Sequence, residues 1–263
     1  MKKVLHKIQD VFLKYGLIFL ILILWQILSS VDIVPEYFLP SPFQVVRAFV
    51  SDFNLIMRHT GYTLLEAAIG TSLAVALAFV LSILMDNSKG LYKFLYAPIV
   101  VTQTIPSVAI APLLILWLGY YMLPKIVLVI LTVFFPILIS LLDGYRSVDL
   151  DSINLLYAMG AKRWQIYYHV KLPASMSHFF AGLKVSLSYA LVSAVVAEWL
   201  GGYYGLGVYM TRVRKAFAID KMFAVVFFVS ALSLLLMFAV EKLRLHSLRY
   251  ESLARKDYIT GDK

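Results

Sequence analysis

The chain is 263 residues long, 61% hydrophobic and 15% charged, where a soluble domain carries roughly 45–50% apolar and roughly 25% charged residues. A mean hydropathy of +0.83 excludes a soluble globular protein and a disordered one alike. The lack of cysteine excludes disulfides, thiolate metal sites and a cysteine nucleophile. The net charge of +9 fits basic loops on the cytoplasmic face of a membrane, not a nucleic-acid surface.

A helix needs about 20 apolar residues to cross the hydrocarbon core. Uncharged runs occur at Tyr15–Val31, Ala67–Met85, Phe94–Pro124, Ile126–Leu142, Val185–Ala197 and Met222–Val240. They predict an all-α, multi-pass membrane protein with transmembrane helices near 12–31, 62–85, 94–118, 124–142, 178–199 and 221–241, in a single domain over 1–263. Lys2, Lys3 and Lys7 precede the first run as in a signal peptide. Its apolar core is too long for one, however, and Ser29-Ser30-Val31-Asp32 is a poor cleavage site, so an uncleaved helix is expected. The third run accommodates one helix and a turn at Gly119-Tyr120-Tyr121. The fifth reaches back past Lys184, whose amine can snorkel. With both termini in the cytoplasm, seventeen Lys and Arg lie inside and seven outside, among them Lys125 and a cluster at Arg212, Arg214 and Lys215. That bias sets the expected orientation. No internal repeat or inverted half is visible in the sequence.

The loop over 143–177 reads as a short helix, with Asp149 or Asp151 suited to its N-terminus and Gly160 to its end. A second helical stretch follows over 161–170, and Pro173 stands where a further helix can begin. Ile153, Leu156, Tyr157 and Met159 make the first helix apolar enough to dock on another protein or to lie on a lipid interface.

The third span holds Pro98, Pro106 and Pro112 around Thr102, Gln103, Thr104 and Ser107. Proline frees carbonyls that lipid cannot satisfy, so irregular backbone there must face protein or water. Gln103 and Ser107 share a helix face; with Thr104 they line a substrate pathway or pack between helices. In the fifth span Ser186, Tyr189 and Ser193 form one stripe, suited to the pathway or to a dimer interface. Glu198 closes that helix as a gate residue or an interfacial charge. Glu66 and Lys184 are expected near span ends in structural roles. The five histidines form no H-x-x-x-H pair, so no metal site is expected, and no chain of ionisable groups suggests a proton relay. An intramembrane serine protease would need a Gly-x-Ser-Gly turn, which Gly70-Thr71-Ser72 does not complete. A secondary transporter would need coupling-ion carboxylates or a repeated half.

The 143–177 loop resembles the signature loop of binding-protein-dependent ABC importer permeases: Glu-Ala-Ala, three residues, Gly, nine residues, Ile, one residue, Leu-Pro. Gly160, Val170, Leu172 and Pro173 occupy those positions, and Asn154, Leu155 and Leu156 stand where Glu-Ala-Ala would be. Leu39-Pro40-Ser41-Pro42, Gln103-Thr104-Ile105-Pro106, Leu116-Trp117-Leu118-Gly119, Ala197-Glu198 and Gly205-Leu206-Gly207 are similar to the nitrate, sulfonate, taurine and thiamine-precursor branch. The resemblance implies a type I importer permease fold and a dimer of permeases in the cell membrane. It also implies a cytoplasmic ATPase subunit seated on Ile153, Asn154, Leu156, Tyr157, Gly160, Ala161, Val170, Leu172 and Pro173, and an external solute-binding protein. The chain has no G-x-x-x-x-G-K-[ST], so ATP and Mg are expected in the partner and no cofactor or enzymatic activity in this chain. The uncharged patch at Gln103, Thr104 and Ser107 and the Gln-Thr-Ile-Pro segment favour a thiamine-type pyrimidine or a related heterocycle, with a sulfonate, taurine or nitrate as the alternative substrate.

Overall fold

The computed structural model describes residues 16–17, 19–31, 35 and 38–248. Among these it has helices and no strand. In chain order they are α1 (Phe19–Ser30), α2 (Pro42–Ser51), α3 (Phe53–Asn87), α4 (Lys89–Gln103), α5 (Ser107–Leu118), α6 (Met122–Arg146), α7 (Leu150–Ala158), α8 (Arg163–Ile166), a π-helical turn (Tyr167–Lys171), α9 (Leu172–Leu200), α10 (Leu206–Lys215) and α11 (Ile219–Ser247). They divide into two compact units. One comprises the described residues up to 59 with Tyr209–Phe228, the other Thr60–Val208 with 229–248.

In the first unit, Trp25 stacks on Phe227 with ring centroids 5.4 Å apart and donates from Nε1 to the Pro40 carbonyl at 3.0 Å. Ser41 opens α2 with a reciprocal capping box: its hydroxyl accepts the Gln44 N–H, and Gln44 Oε1 accepts the Ser41 N–H at 2.7 Å. Pro42 follows at a helical position that needs no N–H. Asp52, between α2 and α3, receives Lys221 Nζ at 2.8 Å and the Tyr209 hydroxyl at 2.8 Å. Burial raises the Asp52 carboxyl, but the hydrogen bonds from Lys221 and Tyr209 outweigh it and hold the group below its ordinary range.

In the second unit α6 is central and packs chiefly along α9. Leu128, Val129, Val133, Ile137, Leu138 and Leu141 are all fully buried. α3 meets this core with small residues, Ala67, Gly70, Ala74 and Ala78, at helical spacing, and turns Leu65, Leu73, Leu77 and Leu84 outward. Small residues inside and large ones outside are the arrangement of helices packed in lipid, where close backbone approach drives association.

Four helical runs are long and apolar enough to cross a membrane: α3, α6, the continuous run Arg163–Leu200, and α11. The expected third span is corrected. It is two helices, α4 and α5, meeting at 98°. Ile105 precedes proline and is pushed out of the helical region, and Pro106 offers no N–H to α4, so α4 stops at Gln103 and Pro106 becomes the N-cap of α5. Pro98 and Pro112 remain inside their helices. The new helix expected at Pro173 is α9, with the proline in its first turn, but it is not set apart from what precedes it: α8, the π turn and α9 are continuous. The proline ring crowds the carbonyl four residues back, and the widened turn at Tyr167–Lys171 takes up that crowding. Of the expected first span, 12–15 and 18 lie outside the described residues, as does 249–263 of the cytoplasmic tail that the sequence places at 244–263; 244–247 belong to α11.

Replacing Asp52 with Asn should lower the stability of the first unit by roughly 1 kcal/mol, the scale of a partly exposed ion pair, read as a lower melting temperature in detergent. Because folding depresses the Asp52 carboxyl, this contribution is complete above the usual aspartate range of about 4. It disappears as pH falls through the depressed value, so Asp52→Asn should flatten the acid limb of the stability curve.

Candidate functional site

The loop between α6 and α9 is anchored at its base and free at its tip. At the base, Lys171 Nζ pairs with Asp86 at 2.7 Å, and the Tyr145 hydroxyl contacts both Ser82 Oγ at 3.2 Å and the Tyr167 hydroxyl. At the tip, Asp149 caps α7 by accepting the N–H groups of Asp151 and Ser152. These bonds, with that of the Ser152 hydroxyl first among them, hold the Asp149 carboxyl below its ordinary value. α7 buries none of its residues. Asn154, Tyr157, Gly160 and Pro173 are exposed; Ile153, Leu156, Ala161, Val170 and Leu172 are half-buried. Leu156, Gly160, Ala161 and Val170 converge, with Met159, Gln165, Ile166 and His169, on an apolar notch of 360 Å³. Leu150, Leu155, Met159 and Trp164 project from the same loop, each more than 60% exposed. Gly160 sits at φ +87° with open space around its α-carbon. The chain turns there from α7 toward α8 in a conformation that side chains resist.

The α4–α5 break lines an open cleft of 530 Å³ together with α6 and α9. Gln103, Ser107 and Tyr189, named from sequence, are brought together in its wall, with Thr102, Ile105 and Pro106 from the break and Thr132, Phe135 and Pro136 from α6. Among the described lining residues none is charged. Thr104 is outside the lining, and its hydroxyl donates back to the Val101 carbonyl at 2.7 Å. Ser186 and Ser193 are buried. Ser186 donates to the Val133 carbonyl at 3.3 Å, and Ser193 shares a hydrogen bond with Thr132 at 2.8 Å. The expected common stripe is therefore split: its two serines join α9 to α6, and Tyr189 faces the cleft. Thr132, Phe135 and Pro136 escaped sequence reading because the facing of α6 is decided by packing, and only Pro136 marked that helix as irregular.

The charges expected at span ends are inside the protein. Glu66, Lys125 and Glu198 are 2%, 4% and 1% exposed. Glu198, expected as a gate or interfacial charge, accepts the Thr63 hydroxyl at 2.7 Å and the Gly207 N–H at 2.6 Å. Lys125, counted among the outer loop cations, pairs with Glu66 at 2.8 Å. Lys184 does remain partly exposed and pairs with Glu241 at 3.1 Å. Gly205, at φ +124°, packs so tightly on the Glu198 carboxyl that a β-carbon would collide with it. This is why the turn between α9 and α10 needs glycine there.

Apolar runs long enough to cross a membrane, an irregular cleft and an exposed apolar loop make this a multi-pass membrane protein. Residues 70–244 match the family of the binding-protein-dependent transport system inner membrane component, and the chain belongs to that family. It is 35% identical over 225 residues to the formylaminopyrimidine transport permease protein ThiX of Halalkalibacterium halodurans, covering 85% of this chain and 90% of that protein. It is 32% identical over 200 residues to the riboflavin transport system permease protein RibX of Chloroflexus aurantiacus, covering 75% of each, and 25% identical over 235 residues to the taurine transport system permease protein TauC of Escherichia coli, covering 87% and 86%. Its fold is that of type I importer permeases: an inward-facing structure of the MetNI methionine ABC transporter superposes with a TM-score of 0.65 at 17% identity, over 73% of this chain and 95% of that one. The chain is thus an ABC importer permease, a multi-pass inner-membrane transport component and not an enzyme. Membership implies an ATPase partner and a binding protein.

Position 160 gives a direct check on the loop. Since nothing crowds Gly160, a substitution there is penalised by backbone conformation alone, roughly 1–2 kcal/mol for an ordinary L-residue. Asn tolerates this region best and β-branched residues least. Transport and ATPase co-purification should therefore fall in the order Gly, Asn, Ala, Val, with membrane insertion unchanged throughout.

Proposed function

We propose that this permease forms a homodimer whose translocation pathway carries a thiamine-type pyrimidine or a related neutral heterocycle delivered by an external binding protein. The cleft carries this reading: uncharged hydrogen-bonding groups at Gln103, Thr102, Thr132 and Ser107 sit beside the rings of Tyr189 and Phe135, a lining suited to a flat polar ring and without a cation for an anion. The ThiX and RibX relatives, whose names specify a formylaminopyrimidine and riboflavin, support the same class. Gln103, Ser107 and Tyr189 contact the solute; Thr104, Ser186, Ser193 and Glu198 support the pathway from outside the cleft.

In this reading the whole chain is one permease domain of six spans, counting α1 as belonging to the first and α4–α5 as one broken span. Both termini are cytoplasmic and α3 and α11 face lipid. The partner ATPase binds ATP and Mg and seats on α7 and its notch, whose exposed apolar side chains support docking. The isolated chain should show no ATP turnover; turnover by the purified chain, free of any partner, would refute this division of labour.

A sulfonate or taurine substrate is the second reading, supported by the TauC relative and by Arg212, Arg214 and Lys215 at the end of α10. The deciding experiment is calorimetry on the solute-binding protein that assembles with this chain. Micromolar binding of an aminopyrimidine is expected; binding of taurine or an alkanesulfonate in its place would overturn the heterocycle assignment. In proteoliposomes of the full transporter, Gln103→Ala and Tyr189→Ala should each reduce uptake of the same aminopyrimidine roughly five- to tenfold, the weight of one hydrogen bond or ring contact. The basal ATPase rate should hold.

A further inference from the structure

The buried cluster of Glu66, Lys125 and Glu198 has one donor too few. Glu66 comes from α3, Lys125 from α6 and Glu198 from α9. Lys125 Nζ donates to Glu66 Oε1 at 2.8 Å and to the Tyr204 carbonyl at 3.4 Å. Glu198 has a donor on each oxygen, Thr63 on Oε1 and the Gly207 N–H on Oε2. Glu66 Oε2 is fully buried and accepts no hydrogen bond, and Thr63, one turn earlier on α3, already reaches the Glu198 carboxyl.

The charge count points the same way. With every group ionised, two carboxylates face one ammonium in a place that water does not reach. The other groups hydrogen-bonded to them, the Thr63 hydroxyl and the backbone of Tyr204 and Gly207, bring no charge. Thr63 offers a hydroxyl that also accepts the Leu206 N–H at 2.9 Å, and the 201–207 turn offers backbone. Two carboxylates sharing a site with a single cation do not both stay ionised, and an unpaired charge buried in protein is strongly disfavoured. A proton supplies both missing items, one positive charge and one donor, at the one atom that lacks a partner. A bulkier cation would have to share that space with the Lys125 ammonium.

We propose that Glu66 and Glu198 hold one proton between them, bridging Glu66 Oε2 to the Glu198 carboxyl. The cluster is then neutral with Lys125 charged. The proton acts as a permanent ligand that joins α3 and α9 beside the glycine turn leading into α10.

The test uses the assembled transporter in nanodiscs. Infrared difference spectra recorded in water and deuterium oxide at neutral pH should show the carbonyl stretch of a protonated carboxyl, shifted by deuterium, in the unsubstituted protein. The band should vanish in Glu66→Gln and in Glu198→Gln, each of which replaces the shared proton by an amide donor. Glu66→Gln should keep uptake within about twofold, since the amide restores the bridge, and Lys125→Met should lose most of the folded protein. The melting temperature of the unsubstituted transporter should fall once rising pH strips the proton, and Glu66→Gln should reduce that fall. A spectrum without the protonated-carboxyl band, a band surviving in both Gln variants, or a melting temperature set by sodium concentration at fixed pH would each overturn the proposal.

Discussion

In hydrocarbon a peptide group finds no water, so every N–H and C=O must be satisfied within the protein. That constraint accounts for the helices and also for where they fail. At Thr104–Pro106 the α-helical ladder stops, and the freed groups are met locally: Thr104 N–H returns to the Val101 carbonyl at 3.0 Å, and the hydroxyls of Thr102 and Thr104 turn back onto Ile99 and Val101. A break of this kind can persist only where it borders protein or water, and here it borders the cleft. The cleft thus lies at the one place in α4–α5 where the helical ladder is interrupted.

The same constraint governs the buried side chains. Hydroxyls at Ser82, Thr132, Ser175 and Ser193 each donate to a carbonyl of their own helix three or four residues back, which leaves them able to lie against an apolar neighbour. Ser186, Ser193 and Thr132 then tie α9 to α6 at close range. Charged groups cannot fold back in this way. They are admitted only as a set, Glu66 with Lys125 and Glu198 with Thr63 and the Gly207 N–H, in a turn whose glycine gives the Glu198 carboxyl its space.

The spans of α3, α6 and α11 were legible because an uncharged run of some 20 residues has few other uses. The conformation of the 143–177 loop was legible because its features are local: an acidic cap, an apolar helix and a glycine at a left-handed turn. The break at Pro106 was legible as a discontinuity, but not its 98° angle, which depends on what α5 packs against. The charged cluster was misread. Glu66 and Lys125 are 59 residues apart, and a charge a few turns from the end of an apolar run looks like a group reaching for water. Pairing across that distance leaves no mark in the hydrophobic pattern. Likewise Tyr189 could be placed on a stripe with Ser186 and Ser193, but which side of that stripe met α6 was settled only by packing.

The uninterrupted run from Arg163 to Leu200 has a mechanical consequence. At 1.5 Å per residue, its 38 residues make a rod of roughly 57 Å. One end emerges from the exposed loop, and the other carries Glu198 against the glycine turn. A rigid rod anchored along α6 has little freedom to shorten or slide, so force applied at the loop arrives at the far end as tilt. The π-helical turn at Tyr167–Lys171, with its wider and weaker hydrogen bonding, is the compliant joint near the loaded end.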